Sequence, residues 1–387
     1  MNFFIGAHYN LNNGDRAVLE ATISSLKEII PDAQITVSVF DKRKFYDERV
    51  NAISWPLKGR IMNKLFELFA DRRCYNVLKL LSKFLVNSEY KKELYKADII
   101  LMSGGHHLTD ILGKDTFYRL SSNFILPILM GKKIVLLPQS IGPIKNDKSE
   151  SLLLDKIFKG SKYIAYRDSA AENFLKQFNV PCSQEYVPDI VFNFNCKRKA
   201  PKNKTVGIAL YCVYQGEKLK KLFPFVIDNL YKTLRELGKE GYNINFISMD
   251  INDVEVAESL VYKLKNEFSS LEIKVEKPAS NKISDVVKLF SDKDLILAYK
   301  THSVVFSIIT NTPVVAVAYH PKSIEFMDSV GLKEYAINDT EASFENLNKL
   351  VHSALSRSTE IKKVEMNGTL HHKKMIKNYL KKILEMK

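Results

Sequence analysis

The sequence predicts an α/β protein built as two Rossmann-like domains facing a cleft, and three observations carry that prediction. At 387 residues the chain exceeds the roughly 250–300 at which one hydrophobic core stops growing. Short β-branched runs alternate with longer stretches of helical period, the rhythm of a parallel, doubly wound sheet. That rhythm breaks once, at the polar and basic segment Asn195–Lys204 containing Pro201, and then restarts.

The elements follow in order. Phe3–Gly6 reads as a first buried strand, and Ala17–Ile30 as a helix keeping Val18, Ala21, Leu26 and Ile29 to one side. Gln34–Phe40, Asp98–Ser103, Lys133–Leu137 and Tyr163–Tyr166 are further buried strands. Residues 57–96 form a long, Lys-rich helical insertion with Leu65, Phe66, Leu78 and Leu81 among its apolar positions. Past the linker come strand Thr205–Leu210, a helix near Leu219–Leu237, strand Asn245–Met249, helix Asp253–Phe268, strand Glu272–Val275 and helix Ser284–Phe290. Strand Leu295–Ala298, helix Ser303–Ile309 and strand Val314–Ala318 complete the second sheet. The expected division is 1–195, 205–342 and a set of C-terminal helices at 343–387. In the tail Lys373–Lys387, Ile376, Tyr379, Leu380 and Ile383 share one helical face. Both basic amphipathic segments are expected either to pack on their own domain or to meet a membrane surface.

Composition narrows the classes. With 45% hydrophobic and 26% charged residues, and only 15 Gly and 12 Pro, the chain is neither disordered nor collagen-like. Cys74, Cys182, Cys196 and Cys212 form no CxxC pair, so neither a disulfide framework nor structural zinc is expected, and a reducing compartment fits. The start MNFFIGA lacks the basic region of a signal peptide, and no apolar run approaches the roughly 20 residues that span a bilayer. A cytoplasmic protein is expected, peripheral on the inner face of the membrane at most. Lys plus Arg number 58 against 44 Asp plus Glu, a formal +14, which calls for anionic partners. No nucleic-acid-binding motif accompanies that charge, so phosphorylated metabolites and anionic lipids are preferred.

The chemistry-bearing residues sit at strand ends. After the first strand, Asn12-Asn13-Gly14-Asp15 combines a tight turn with a helix start, whose free N–H groups favour an anion; a plain capped turn is the other reading. The third strand runs into Gly104-Gly105, followed by His106 and His107; neighbours in sequence rarely point at one ion, so a metal is not expected. Pro138-Gln139-Ser140-Ile141-Gly142-Pro143 reads as a rigid turn after the fourth strand. Arg167-Asp168 follows the fifth, placing a guanidinium to grip phosphate or carboxylate, or else forming a surface pair at a helix start. Pro188-Asp189 repeats the theme. In the second half, Lys300-Thr301-His302-Ser303 lies between a strand and a helix, and Tyr319-His320-Pro321-Lys322 follows the last strand.

In this order and spacing the set resembles the polysaccharide pyruvyl transferase family, from Gly6 to about Leu332. The resemblance implies a GT-B-like pair of domains, with the acceptor on the N-terminal side and the donor on the C-terminal side. It also implies transfer of the enolpyruvyl group of phosphoenolpyruvate to two hydroxyls of a sugar in a surface polysaccharide or its lipid-linked precursor. The product is a cyclic ketal, and no cofactor or metal is required. Two departures stand out: Lys300 where the family usually has arginine, and His106 where a third glycine is common. On this reading His302 supplies or relays a proton, and Asp15 or Asp110 positions or deprotonates the acceptor hydroxyl. Arg167, Lys300, Lys322 and Ser303 hold the donor, while Asn12, Gly14, Gly104, Gly105, Gln139 and Ser140 form the acceptor or anion loops. A glycosyltransferase using a nucleotide sugar would share the fold and is the competing expectation.

Overall fold

Parallel strands buried on both faces need continuous apolar runs, and the chain supplies them in two sets. The computed structural model describes every residue except 10, 11, 46, 58, 146, 197, 198, 200–202, 213–216, 250, 281 and 387; the side chains of 217–221, 251 and 252 are likewise outside the description. Of the expected linker, residues 197, 198 and 200–202 therefore fall outside the described residues.

The first half runs β1 (Asn2–His8), α1 (Asn13–Ile29), β2 (Gln34–Val39), β3 (Asn51–Ser54), α2 (Gly59–Asp71), α3 (Tyr75–Leu85), α4 (Ser88–Lys96), β4 (Ile99–Met102) and β5 (Gly105–Leu108). It continues with α5 (Lys114–Leu129), β6 (Ile134–Ile141), α6 (Lys148–Gly160), β7 (Ser161–Tyr166), α7 (Ser169–Leu175) and β8 (Ser183–Tyr186). The second half runs β9 (Thr205–Ala209), α8 (Glu217–Lys239), β10 (Asn243–Ile247), α9 (Ile251–Glu267), β11 (Ile273–Glu276), α10 (Ile283–Lys288) and β12 (Leu295–Ala298). It ends with α11 (Thr301–Ile309), β13 (Val314–Ala318), α12 (Pro321–Ser329), β14 (Ala336–Asn338), α13 (Phe344–Ser356) and α14 (Ser358–Glu385).

The fold is α/β with two parallel sheets. In the first, the order is β3-β2-β1-β4-β6-β7-β8 with β5 paired to β6; in the second it is β11-β10-β9-β12-β13-β14. The chain leaves β1 toward one edge and returns at β4 on its other side, and it does the same at β9 and β12. Ligands of such sheets bind beyond the carboxyl ends of the strands, at the point of reversal.

Contacts divide the chain into two compact units, residues 1–193 with 372–387, and residues 194–371. The C-terminal helices do not form a piece of their own. α13 and the first part of α14 belong to the second unit, and the end of α14 to the first.

Two local findings differ from the sequence expectation, and a third follows one of its two alternatives, packing on the segment's own domain. Gly104-Gly105 is not a simple turn, because β4 stops at Met102 and Gly105–Leu108 forms a short strand against β6. β6 extends to Ile141, so Gln139 and Ser140 are strand residues rather than turn residues. Residues 59–96 contain three helices that bury Phe66, Ala70, Leu78, Tyr90 and Leu94 in the first unit's core. The tail is equally committed: Ile376, Tyr379, Leu380 and Ile383 are buried, and the Tyr379 hydroxyl donates to the Leu136 carbonyl at 2.9 Å.

Candidate functional site

In the first unit the site begins with an irregular strand. Ile5 pairs with Val37 and His8 with Val39, so three steps on β1 face two on β2, a bulge with Ala7 at φ 62°. A left-handed alanine costs about 1–2 kcal/mol and re-aims the following side chain. His8, thus turned, is fully buried at the carboxyl end of β1, a position the sequence reading passed over.

The segment after β1 caps a helix. Asn12 accepts the Asp15 N–H at 2.7 Å, and its amide donates back to the Asp15 carboxylate at 2.5 Å. Gly14 is buried in this first turn; residues 10 and 11 lie outside the described residues. Burial raises the Asp15 carboxyl to about 7, against the pull of the Arg167 guanidinium and the Asn12 hydrogen bond and with a further push from Asp189. A carboxyl poised near neutrality can take a proton from a hydroxyl.

β5 explains the glycine pair. A Cβ on Gly104 would lie 2.7 Å from the Pro138 carbonyl oxygen, and Gly105, at φ +149°, has the His107 ring 2.8 Å from where its Cβ would be. The two histidines face opposite ways: a His106 ring nitrogen meets the Gly142 carbonyl oxygen at 2.6 Å, whereas His107 is buried. No cluster of metal-binding groups occurs among the described residues. Burial, with Arg167 acting in the same direction, lowers His107 to about 4; burial, with His107 and Arg16, lowers His8 to about 3. Both rings are therefore neutral at pH 7. Among the described residues neither ring nitrogen of either histidine, and neither amide atom of Gln139, has a hydrogen-bond partner. A buried polar group without a partner is costly, so each of these calls for a water or a ligand group to satisfy it.

Arg167 is not half of an exposed pair with Asp168. It is 5% exposed and ion-paired with Asp189, itself 1% exposed, while its Nε donates to Ser140 Oγ at 3.1 Å. Ser140 in turn donates to Asp168, which caps α7 by accepting the Ala171 N–H at 2.8 Å. The chain Asp168–Ser140–Arg167–Asp189 is a buried polar network, and such networks fix the geometry of what they touch. Asp110 keeps other company: its carboxylate accepts the Lys145 N–H at 2.7 Å and acts on Glu150, which burial first, then Asp110 and Asp147, raise to about 7. It is not among the groups acting on Asp15.

In the second unit Lys300 is the N-cap residue of α11, and its ammonium is ion-paired with Asp253, a partner that the sequence reading did not single out. Ser303 closes the turn, with its N–H and hydroxyl both donating to the Lys300 carbonyl, at 3.0 and 2.5 Å. His302 is the second residue of the helix, half-buried against Phe306. Next door the rings of Tyr211 and Tyr319 stack at 3.9 Å, and Thr301 meets the Ser323 hydroxyl at 3.3 Å. Lys322 is the second residue of α12, its N–H donating to His320 Nδ1 at 3.3 Å. The first-turn N–H groups of α11, with Lys300 beside them, suit an anion. The structure thus gathers Asn12, Asp15, Gln139, Ser140 and Arg167 at the strand ends of one unit, and Lys300, His302 and Ser303 at those of the other.

Comparisons with known proteins bear on the family and the fold. A family model described as polysaccharide pyruvyl transferase matches residues 12–321. The amylovoran biosynthesis protein AmsJ of Erwinia amylovora is 20% identical over 379 residues, 86% of each chain. Among solved structures, the trehalose-6-phosphate synthase OtsA aligns with TM-score 0.58 at 10% identity, covering 100% of this chain and 99% of its own. The UDP-GlcNAc 2-epimerase of Methanocaldococcus jannaschii gives 0.55 at 12% identity over 92% and 93%. WaaG, a glycosyltransferase involved in lipopolysaccharide biosynthesis, gives 0.52 at 12% over 96% and 95%. At these identities the structural likenesses establish the fold alone.

Proposed function

The chain belongs to the polysaccharide pyruvyl transferase family, and from that premise we propose that it moves the enolpyruvyl group of phosphoenolpyruvate onto a sugar of a polysaccharide or of its lipid-linked precursor. The family match over residues 12–321 carries the reading; the strand-end chemistry supports it. His302 protonates the methylene carbon of the donor, leaving cationic character on the adjacent carbon. An acceptor hydroxyl forms a C–O bond there, the bond to phosphate breaks, and a second hydroxyl closes the ketal. Of the two hydroxyl protons lost, one balances the proton added to carbon and the other leaves with phosphate. Lys300 and the first turn of α11, with Ser303 and Lys322, hold the donor's anionic groups, and no cofactor enters the balance. Asp15 takes a hydroxyl proton, and Arg167 works by holding Ser140 and by setting the field at Asp15.

No helix among the described residues is long and apolar enough to cross a membrane. A lipid-linked acceptor nonetheless brings a cytoplasmic enzyme to a membrane face, and α3 suits that contact. Val77, Leu80 and Phe84 are 40%, 60% and 80% exposed in one helical row. Lys79 and Lys83 flank them, and no acid occurs from Arg72 to Ser88.

The deciding assay incubates the protein with phosphoenolpyruvate and a panel of lipid-linked or synthetic glycans, following phosphate release and acceptor mass. Gain of one pyruvyl ketal, lost in His302→Ala, supports the reading. Transfer from a nucleotide sugar with release of its diphosphate, and none from phosphoenolpyruvate, replaces it with the glycosyltransferase reading.

A further inference from the structure

We infer that a pocket of the first unit, walled by the helical insertion, is a subsite for a pyranose unit bearing an anionic group. The inference rests on the sugar-acceptor reading above. The pocket opens where β2 and β3 end and encloses about 520 Å³, within the range that takes small ligands. Phe40 and Trp55 form one side, meeting edge to face at 5.0 Å. The Trp55 indole is fixed because its N–H donates to the His8 carbonyl at 3.1 Å, which ties this pocket to the strand-end cluster. Arg60 and Lys64 of α2 and Arg119 of α5 supply the charge.

Those three cations are not equivalent. Lys64 is neutralised by Glu67 at 2.8 Å and Asp115 at 3.0 Å. Among the described residues neither Arg60 nor Arg119 forms an ion pair, and the Arg119 guanidinium lies 5.5 Å above the Phe40 ring with its Nε buried and lacking a hydrogen-bond partner. A guanidinium N–H removed from water and left unbonded is costly, and its planar fork matches carboxylate or phosphate oxygens. Aromatic walls accept the C–H face of a pyranose, and Asn63, Thr116 and Glu67 offer groups for its hydroxyls. The anionic group is a uronate carboxylate or a phosphate ester, two sources of one chemistry.

Trp55 is the only tryptophan of the chain, so indole fluorescence reports on this pocket without donor or turnover. The full-length protein is titrated with methyl glucuronide, glucose 1-phosphate, neutral methyl glucoside, and inorganic phosphate or acetate alone. The expected result is that at least one acidic sugar perturbs Trp55 with a Kd at least tenfold below those of the glucoside and of the free anions. The preferred acidic sugar identifies the source of the charge. Arg119→Gln, and separately Arg60→Gln at an exposed position that leaves folding intact, remove the tenfold preference. Equal binding of the neutral glucoside, equal binding of free anion, a preference retained in both variants, or no response overturns the inference. Because phosphoenolpyruvate is absent from the titration, failure here and failure of the pyruvyl assay are separate results.

Discussion

The ammonium of Lys300 is ion-paired with the carboxylate of Asp253, a residue of the first turn of α9 that is 2% exposed, while Lys300 itself is 15% exposed. A point charge shared in this way is held in place for a second anion, and the two members of the pair have separable roles. Lys300→Met is expected to raise KM for phosphoenolpyruvate at least tenfold, about 1.4 kcal/mol. Asp253→Asn strands a partly buried cation and is expected to lower unfolding free energy by about 3 kcal/mol. Urea denaturation of both variants beside steady-state kinetics checks the division; loss of stability without a KM effect in Lys300→Met would leave the lysine purely structural.

Asp15 supplies a pH signature. Its carboxyl is raised to about 7, mainly by burial, so the base form grows as pH rises through neutrality. Below pH 7 the kcat/KM profile is expected to climb about tenfold per pH unit. Asp15→Asn removes that limb and lowers kcat/KM at pH 7 by about 10²- to 10⁴-fold, the usual contribution of a general base.

Acid stability depends on the buried histidines. His8 and His107 have folded values of about 3 and 4 against 6.5 in the unfolded chain. Groups depressed in this way add stability that is complete above 6.5 and is lost as pH falls toward their folded values, because only the unfolded chain takes up protons there. Asp15, raised in the fold, acts with the opposite sign and stabilises as pH falls from 7 toward 4. Glu150, likewise raised to about 7, acts with Asp15, so two carboxyls oppose two histidines and the net change in Tm between pH 6.5 and 4 is expected to be small. In His8→Gln or His107→Gln the carboxyls outweigh the remaining histidine and Tm is expected to rise as pH falls across that window, which calorimetry measures.

The two basic amphipathic segments diverge in a vesicle experiment. Phe84→Asp or Leu80→Asp places a charge in the exposed row of α3 and is expected to weaken co-sedimentation with anionic vesicles at least fivefold, leaving Tm within about 2 °C, as surface substitutions do. Ile383→Asp buries a charge in the core of the first unit and unfolds it instead. Unchanged sedimentation of both α3 variants would remove this face as the membrane contact.

How much of this was readable in the sequence follows from range. The two parallel sheets were legible because their strands are apolar runs and their helices are periodic, both local properties. β3 and β8 were not, since NAIS and SQEY are short, polar edge strands without an apolar signature. Asn12, Gly104 and Gly105 were legible as strand-end residues because glycine and capping types mark such loops. Three pairings were not: Arg167 with Asp189, Lys300 with Asp253, and Arg119 over Phe40 join residues 22, 47 and 79 positions apart, and no local pattern encodes a partner that only folding brings near. A histidine closing the first strand was a signal available for His8. The bulge at Ala7 that turns it was not.

The course of α14 governs the order in which the protein can be made. The first unit comprises residues 1–193 together with 372–387, so its hydrophobic slot for Tyr379, Leu380 and Ile383 stays unfilled while the ribosome produces the entire second unit. At about 5–20 residues per second, the 178 residues from 194 to 371 separate the two portions by roughly ten to thirty seconds. During that interval the nascent first unit exposes apolar surface that its own C-terminus later covers, a period in which a chaperone finds its client. A chain that stops short of residue 372 therefore has every described strand of both sheets and an unfinished core.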